Sequence, residues 1–317
     1  MFPVRYSAVR VKWKEFEMKR AILFPGQGSQ FVGMGRDLCE AIPECKALFD
    51  QANDVLGYDL ATLCFDGPAD ELKKSHNTQP AIFTVSAVAF EALKLKKPME
   101  FDFAAGHSLG EWGALYVAGV ISFEDTLRVL KARGEFIQAA CDANPGGMLA
   151  VIGFDGEPLK KIAAETGVTL ANINCPGQIV LSGTAAAIEK AAEACKTAGA
   201  KRALPLPVAG AFHSPLMQPA AEKLAGFLEN ISFAAPRIPV LSNVTGAPHE
   251  SVEAIRANMV AQITGSVRWV ECMQYLIAQG VTEGVECGPG KVLNGLMKRI
   301  DKRVSITNIG ALSDFEV

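Results

Sequence analysis

Apolar and polar positions along this chain change period in a regular order. KRAILFPG (19–26) reads as a strand running into a loop. The spacing then predicts helices around 31–41, across 43–56 and across 80–94, a short buried strand at FDFAA (101–105), and a helix at LGEWGALYVAGVI (109–121). Another helix is predicted over 122–141, where Ser122 and Asp125 are spaced as a capping box with Asp in place of the usual Glu or Gln. Strands and helices in alternation imply a parallel sheet with helices on its faces.

The pattern changes at NPGG (144–147). From there it reads strand 148–153, helix 157–165, strands 168–174 and 178–182, helix 185–198 and strand 202–206. That β-α-β-β-α-β order, within about 65 residues, is the split arrangement of a ferredoxin-like module. Alternation resumes after LPLPVAG (204–210), with strands expected at 239–246 and 280–289 and helices at 251–263, 268–279 and 290–300. The expected organisation is therefore an α/β domain in two parts, 18–143 and 209–317, interrupted by a module over 144–208. The cleft between them is the natural place for a substrate. Residues 1–17, with four basic and two acidic side chains and no apolar core, do not read as a secretory signal. They are expected to be an extension ahead of a domain that starts at Met18.

Composition narrows the classes. The chain has 317 residues, 49% of them hydrophobic, and a net charge of −3, which argues for a packed core and against a general nucleic-acid surface. No apolar run approaches the roughly 20 residues of a membrane span. Eight scattered cysteines with no C-x-x-C pair suggest reduced thiols and a cytoplasmic location. The four histidines are never paired at metal-ligand spacing, so no metal site is expected.

GHSLG (106–110) sets Ser108 between two glycines, after a strand and before a helix. A serine on such a turn exposes its hydroxyl at the helix N-terminus, where unpaired N–H groups suit a developing oxyanion. This is the nucleophile-elbow pattern; the plainer alternative is a helix N-cap. A serine nucleophile needs a base. His107 points away from its neighbour on a tight turn, which leaves His213, in VAGAFHSPLM, at the far border of the module. Pro215 fits the first turn of a helix just beyond it. No acidic residue in a telling loop completes a triad.

On helix 122–141 the apolar stripe runs Phe123, Leu127, Leu130, Ile137, Cys141, and Arg133 falls inside it. A core-facing guanidinium must find an anion. One answer is an internal salt bridge; the other is a substrate carboxylate gripped at two points. Two glycine-rich loops are not nucleotide sites. LFPGQGSQFVGMG (23–35) has Phe31 at the third glycine position of a dinucleotide fingerprint, and GPGKVL (288–293) has Val292 where a P-loop needs Ser or Thr. The first loop fits better as a bare-backbone wall with the Gln27 N–H as an oxyanion donor.

Taken in order, FPGQGSQ, GHSLGEW, ARGEFIQ, NINCPGQIVLSG, AFHSPLM and VECGPGKVLNGL resemble the malonyl-CoA:acyl-carrier-protein transacylases of fatty-acid synthesis, from Met18 to about Ile309. The resemblance implies an α/β-hydrolase-like core with a ferredoxin-like insert. It implies that Ser108 is the acylated nucleophile and His213 its base. Arg133 would hold the malonyl carboxylate, and the N–H groups of Gln27 and Leu109 would form the oxyanion hole. Phe212 would disfavour methylmalonyl units, and Asn174 would line the cleft. A backbone carbonyl near SVRW (266–269) would orient the imidazole, with Arg268 standing where relatives often carry glutamine. Also implied are malonyl-CoA and an acidic acyl carrier protein as partners, with KKSH (73–76) and MKRIDKR (297–303) as candidate basic patches. No bound cofactor, nucleic acid or membrane is implied, and a monomer is expected. A thioesterase, a non-catalytic carrier-binding scaffold and a polyketide-loading acyltransferase are the rival readings.

Overall fold

The computed structural model describes residues 18–316, so the expected extension 1–17 lies outside the described residues. Among the described residues eight strands form two separate sheets: β1 (Lys19–Phe24), β2 (Phe103–Gly106), β3 (Gly146–Ile152), β4 (Thr169–Cys175), β5 (Gln178–Thr184), β6 (Arg202–Pro205), β7 (Val281–Cys287) and β8 (Ser305–Ile309). The first sheet has the order β2-β1-β7-β8 and is parallel throughout. In β1 the period-2 geometry sends Ile22 and Phe24 to one face and Ala21 and Leu23 to the other. Both faces are covered, so the strand reads as a continuous apolar run. Helices Ser75–Lys96, Phe123–Ala143 and Gln218–Leu228 pack on the Ile22 side, and helices Trp269–Ala278 and Val292–Ile300 on the Leu23 side.

The second sheet, β4-β5-β3-β6, is antiparallel and has the connectivity of a ferredoxin-like module. Helices Gly156–Thr166 and Ala185–Thr197 cover one face, burying Leu149, Val151 and Leu181. On the other face Met148, Ala150 and Val180 line a cleft toward the large part. The module is tied to the large part at β4, where Ile173 N–H donates to the Val267 carbonyl at 2.9 Å and Val267 N–H to the Ala171 carbonyl at 2.8 Å, just before helix Trp269–Ala278. The chain thus has the fold expected from its pattern: an α/β-hydrolase-like large part with a parallel sheet and an inserted ferredoxin-like smaller one.

Several local expectations fail for physical reasons. The helix expected at 80–94 starts at Ser75, with Pro80 inside it rather than at its boundary. The segment 31–41 is helical only over Arg36–Ala41, because Gly28, Gly33 and Gly35 all have positive φ and keep the preceding loop in turns. The strand expected at 239–246 is reduced to one parallel bridge, Ala104 to Val240, after which the chain turns back on itself through Gly246. The edge strand β8 has no counterpart in the sequence reading. Among the described residues no helix is long and apolar enough to cross a membrane. All eight cysteines are unpaired.

Candidate active site

The elbow is built by close approach. A Cβ on Gly106 would overlap the Gly110 carbonyl, and one on Gly110 would overlap the carbonyl of Phe24. Bare backbone at both positions lets helix Gly110–Val117 seat directly on β1 and β2. Ser108, between them, has φ 52°. Its N–H donates to Asn243 Oδ1 at 2.7 Å, while Asn243 Nδ2 donates to the Gly106 carbonyl at 2.8 Å. One amide side chain therefore spans the turn and holds it in a conformation that non-glycine residues rarely adopt.

His213 has φ 55° and lies just before Ser214, whose hydroxyl caps the 3-10 turn Pro215–Met217. Pro215 occupies the first position of that turn, as its missing N–H allows. The His213 Nε2 lies 2.8 Å from Ser108 Oγ. Its Nδ1 faces the carbonyls of Gln262 at 2.9 Å and Gly265 at 3.1 Å. Only a protonated Nδ1 can donate to carbonyls, so Nε2 carries the lone pair that faces the serine. The orienting carbonyls lie just upstream of SVRW rather than in it, and the glutamine at this position is Gln262. Arg268 is elsewhere: it donates to the Val244 carbonyl at 3.2 Å and pairs with Glu271. Burial, and then the nearby Arg133 charge, hold the His213 imidazole down to about 3, so it is neutral at physiological pH.

Arg133 is only 3% exposed. Its Nη1 donates to Gln79 Oε1 at 2.7 Å and its Nη2 to Gln262 Oε1 at 3.0 Å, while among the described residues it pairs with no carboxylate and its buried Nε has no partner. The internal salt bridge considered for it is not what the fold builds. Burial lowers its pKa to about 10, opposed by the charge of Glu111 beyond Gln262. Glu111 itself accepts from the Gln262 amide, Asn243 N–H and His249 Nε2. Gln262 is thus the hub: its carbonyl holds the His213 ring, its Oε1 meets the arginine, and its Nε2 donates to the Ser108 carbonyl at 3.0 Å. Gln79, Glu111, Asn243 and Gln262 were all missed in the sequence, where amides and a helix glutamate carry no distinguishing spacing.

Ser108, His213 and Arg133 line one cleft of about 570 Å³, together with Gln27, Phe212 and Asn174. Leu109 follows Ser108 at the helix entrance and is buried. Among the described residues neither the Gln27 nor the Leu109 N–H donates a hydrogen bond to another group. His107 turns from the serine and bonds Asn174 Oδ1 at 2.8 Å, bridging the elbow to the antiparallel sheet. Among the described residues no cluster of His, Cys, Asp or Glu is placed to hold a metal ion.

The acyl transferase domain family matches residues 22–306. The malonyl CoA-acyl carrier protein transacylase of Bacillus subtilis is 47% identical over 291 residues, covering 90% of this chain and 92% of that protein. Among solved structures, the acyl-carrier-protein S-malonyltransferase of Burkholderia pseudomallei superposes with a TM-score of 0.91 at 42% identity, covering 94% of this chain and 98% of that one. A malonyl-transacylase in complex with a type II PKS acyl-carrier protein gives 0.90 at 43% identity, again over 94% and 98%.

Proposed function

The chain belongs to the acyl transferase domain family, and from that premise we propose that Ser108 carries a malonyl group from malonyl-CoA to the phosphopantetheine thiol of an acyl carrier protein. The activity is that of an S-malonyltransferase supplying fatty-acid synthesis. His213 Nε2 takes the Ser108 proton as the hydroxyl oxygen attacks the thioester carbon. The tetrahedral oxyanion rests on the N–H groups of Gln27 and Leu109, which are free to receive it. Collapse breaks the C–S bond, and the imidazolium returns its proton to the departing coenzyme A thiolate. The carrier thiol then enters, loses its proton to His213, and attacks the acyl-serine, so the same steps run in reverse. Coenzyme A is the departing group and phosphopantetheine belongs to the carrier, so this cycle calls on no resident cofactor.

One observation carries the reading: a buried arginine with an unpartnered Nε shares the cleft of a bonded serine–histidine pair. A neutral acyl group would leave that charge without a counterion. A malonyl carboxylate supplies one at the far end of a three-carbon chain. The anchored carboxylate also fixes the acyl group against random attack by water. Phe212, beside His213 in the cleft, fills space that an α-methyl would need. We place this activity in a monomer in the cytoplasm, where the unpaired cysteines stay reduced.

The test is the mass of the intact chain after mixing with malonyl-CoA alone, with Ser108→Ala beside it. A malonyl adduct on the unaltered chain only is the expected result. Release of coenzyme A without an adduct, abolished in Ser108→Ala, would instead mean hydrolysis.

A further inference from the structure

We propose that Ser75, with the first turn of helix Ser75–Lys96, is a second anchor for the substrate carboxylate, opposite Arg133. The proposal rests on the malonyl-transfer reading and names a residue that sets its acyl specificity.

The placement follows from packing. Helix Phe123–Ala143 meets the start of helix Ser75–Lys96 at Gly134, where an added Cβ would come within 2.7 Å of both the Ser75 carbonyl and the His76 nitrogen. Arg133 is the residue before that contact, and its Nη1 bonds Gln79 Oε1. Ser75 lies four residues before Gln79, so the two share a helix face about one turn, ~5.4 Å, apart. Ser75, Gln79 and Arg133 all line the cleft.

Two features here point to a ligand. Ser75 is 2% exposed where it lines the cleft, and the buried Arg133 Nε that shares this cleft has no partner among the described residues. The helix also has no side-chain cap: Lys74 is at the N-cap, and neither the Ser75 nor the His76 N–H donates to another group among the described residues. A 22-residue helix with an open N-terminus presents partial positive charge to the same space as the Arg133 guanidinium. Two electropositive groups meeting in a buried pocket favour an anion there, and a carboxylate has two oxygens to share between them. Arg133 takes one; Ser75 Oγ–H and the first-turn N–H groups take the other. A methyl or an amide in the same place would leave these donors unmatched, which is how the turn would discriminate.

Steady-state transfer from malonyl-CoA and from acetyl-CoA to holo carrier protein separates this role from a structural one, using Ser75→Ala and Ser75→Thr. For Ser75→Ala, KM for malonyl-CoA should rise about tenfold with kcat little changed, as for loss of one hydrogen bond to a charged group. Acetyl transfer should be unchanged, and Ser75→Thr should restore malonyl KM. A malonyl KM within twofold of the unaltered enzyme, or an equal loss with both donors, would overturn the proposal. The malonyl adduct on Ser108 is measured in the same preparations. Its presence with an unaltered malonyl KM removes only the Ser75 anchor, whereas its absence from the unaltered chain removes the underlying reading and the anchor together.

Discussion

Ser108 and His213 are the two residues other than glycine, among those described, whose φ lies in the left-handed region, and their side chains meet at 2.8 Å. Each such residue costs on the order of 1–3 kcal/mol and persists only where its surroundings hold it. At Ser108 the restraint is the Asn243 amide. At His213 it is the pair of carbonyls behind the ring and the capped turn after it. The strain is concentrated at the two ends of one hydrogen bond.

Asn243→Ala should therefore slow acylation more than it weakens substrate binding. With the Ser108 N–H released, the elbow relaxes and the hydroxyl leaves the histidine. A fall of about 100-fold in the rate of malonyl-adduct formation is expected, the scale of losing one well-placed catalytic group. Rapid quench with mass detection gives that rate, and a change confined to KM would contradict the argument.

Arg133→Ala should exchange one specificity for another. The buried guanidinium favours a carboxylate-bearing acyl group by about 2–5 kcal/mol, as a desolvated charge pair does. Malonyl transfer is lost in the variant, and acetyl transfer is retained or rises as the pocket becomes neutral. Competition between labelled malonyl-CoA and acetyl-CoA measures the switch. A variant still preferring malonyl would sink the clamp.

The depressed His213 pKa predicts two pH effects. Because the folded imidazole stays neutral down to about 3, kcat/KM, which reports the free enzyme, should show no fall through the ordinary histidine range near pH 6.5. Stability moves in the opposite sense to that of a paired histidine. Between the unfolded value near 6.5 and the folded value of about 3, the unfolded chain binds the proton and the folded chain does not. The contribution is complete above pH 6.5 and is lost as pH falls, by at most about 1.4 kcal/mol per pH unit from this group. Urea titrations at pH 7 and pH 5 should show a smaller acid-induced loss in His213→Gln than in the unaltered chain.

Gly106→Ala should prevent folding or lower stability by more than about 3 kcal/mol, since its Cβ would fall on the main chain of Gly110, which cannot swing aside. Gly147→Ala, with open space around the Cβ position, is the control. Thermal melts of the two variants decide the point, and equal melting temperatures would refute it.

What the sequence disclosed was whatever left a mark on spacing. Arg133 interrupts an apolar stripe, so its inward direction could be read before any coordinates. Ser108 sits between two glycines, and the order of apolar runs separated the parallel sheet from the antiparallel one. Gln262 and Asn243 left no such mark, because an amide acts through contacts made by loops far away in the chain. Their partners, Ser108 and His213, are up to 154 residues distant. Taking Pro80 as a helix boundary also hid the turn that carries Ser75 and Gln79, since proline is tolerated here inside the helix. The imidazole's orienting carbonyls could be expected only near SVRW, and they come from Gln262 and Gly265, because every residue has a carbonyl and only the fold selects which ones face the ring.

The same anonymity has a consequence for inheritance. In a serine–histidine–acid triad the third member is a side chain that one nucleotide change can delete. Here its place is taken by main-chain oxygens of Gln262 and Gly265, which every amino acid supplies. A substitution at either position keeps the carbonyl in the chain but can still move it, since a Cβ at Gly265 would crowd the Ala261 carbonyl and the Gln262 side chain ties together Arg133, Ser108 and Glu111. The vulnerability of the support lies in the course of the backbone: an insertion or deletion between 262 and 265 would carry both carbonyls away from the ring at once.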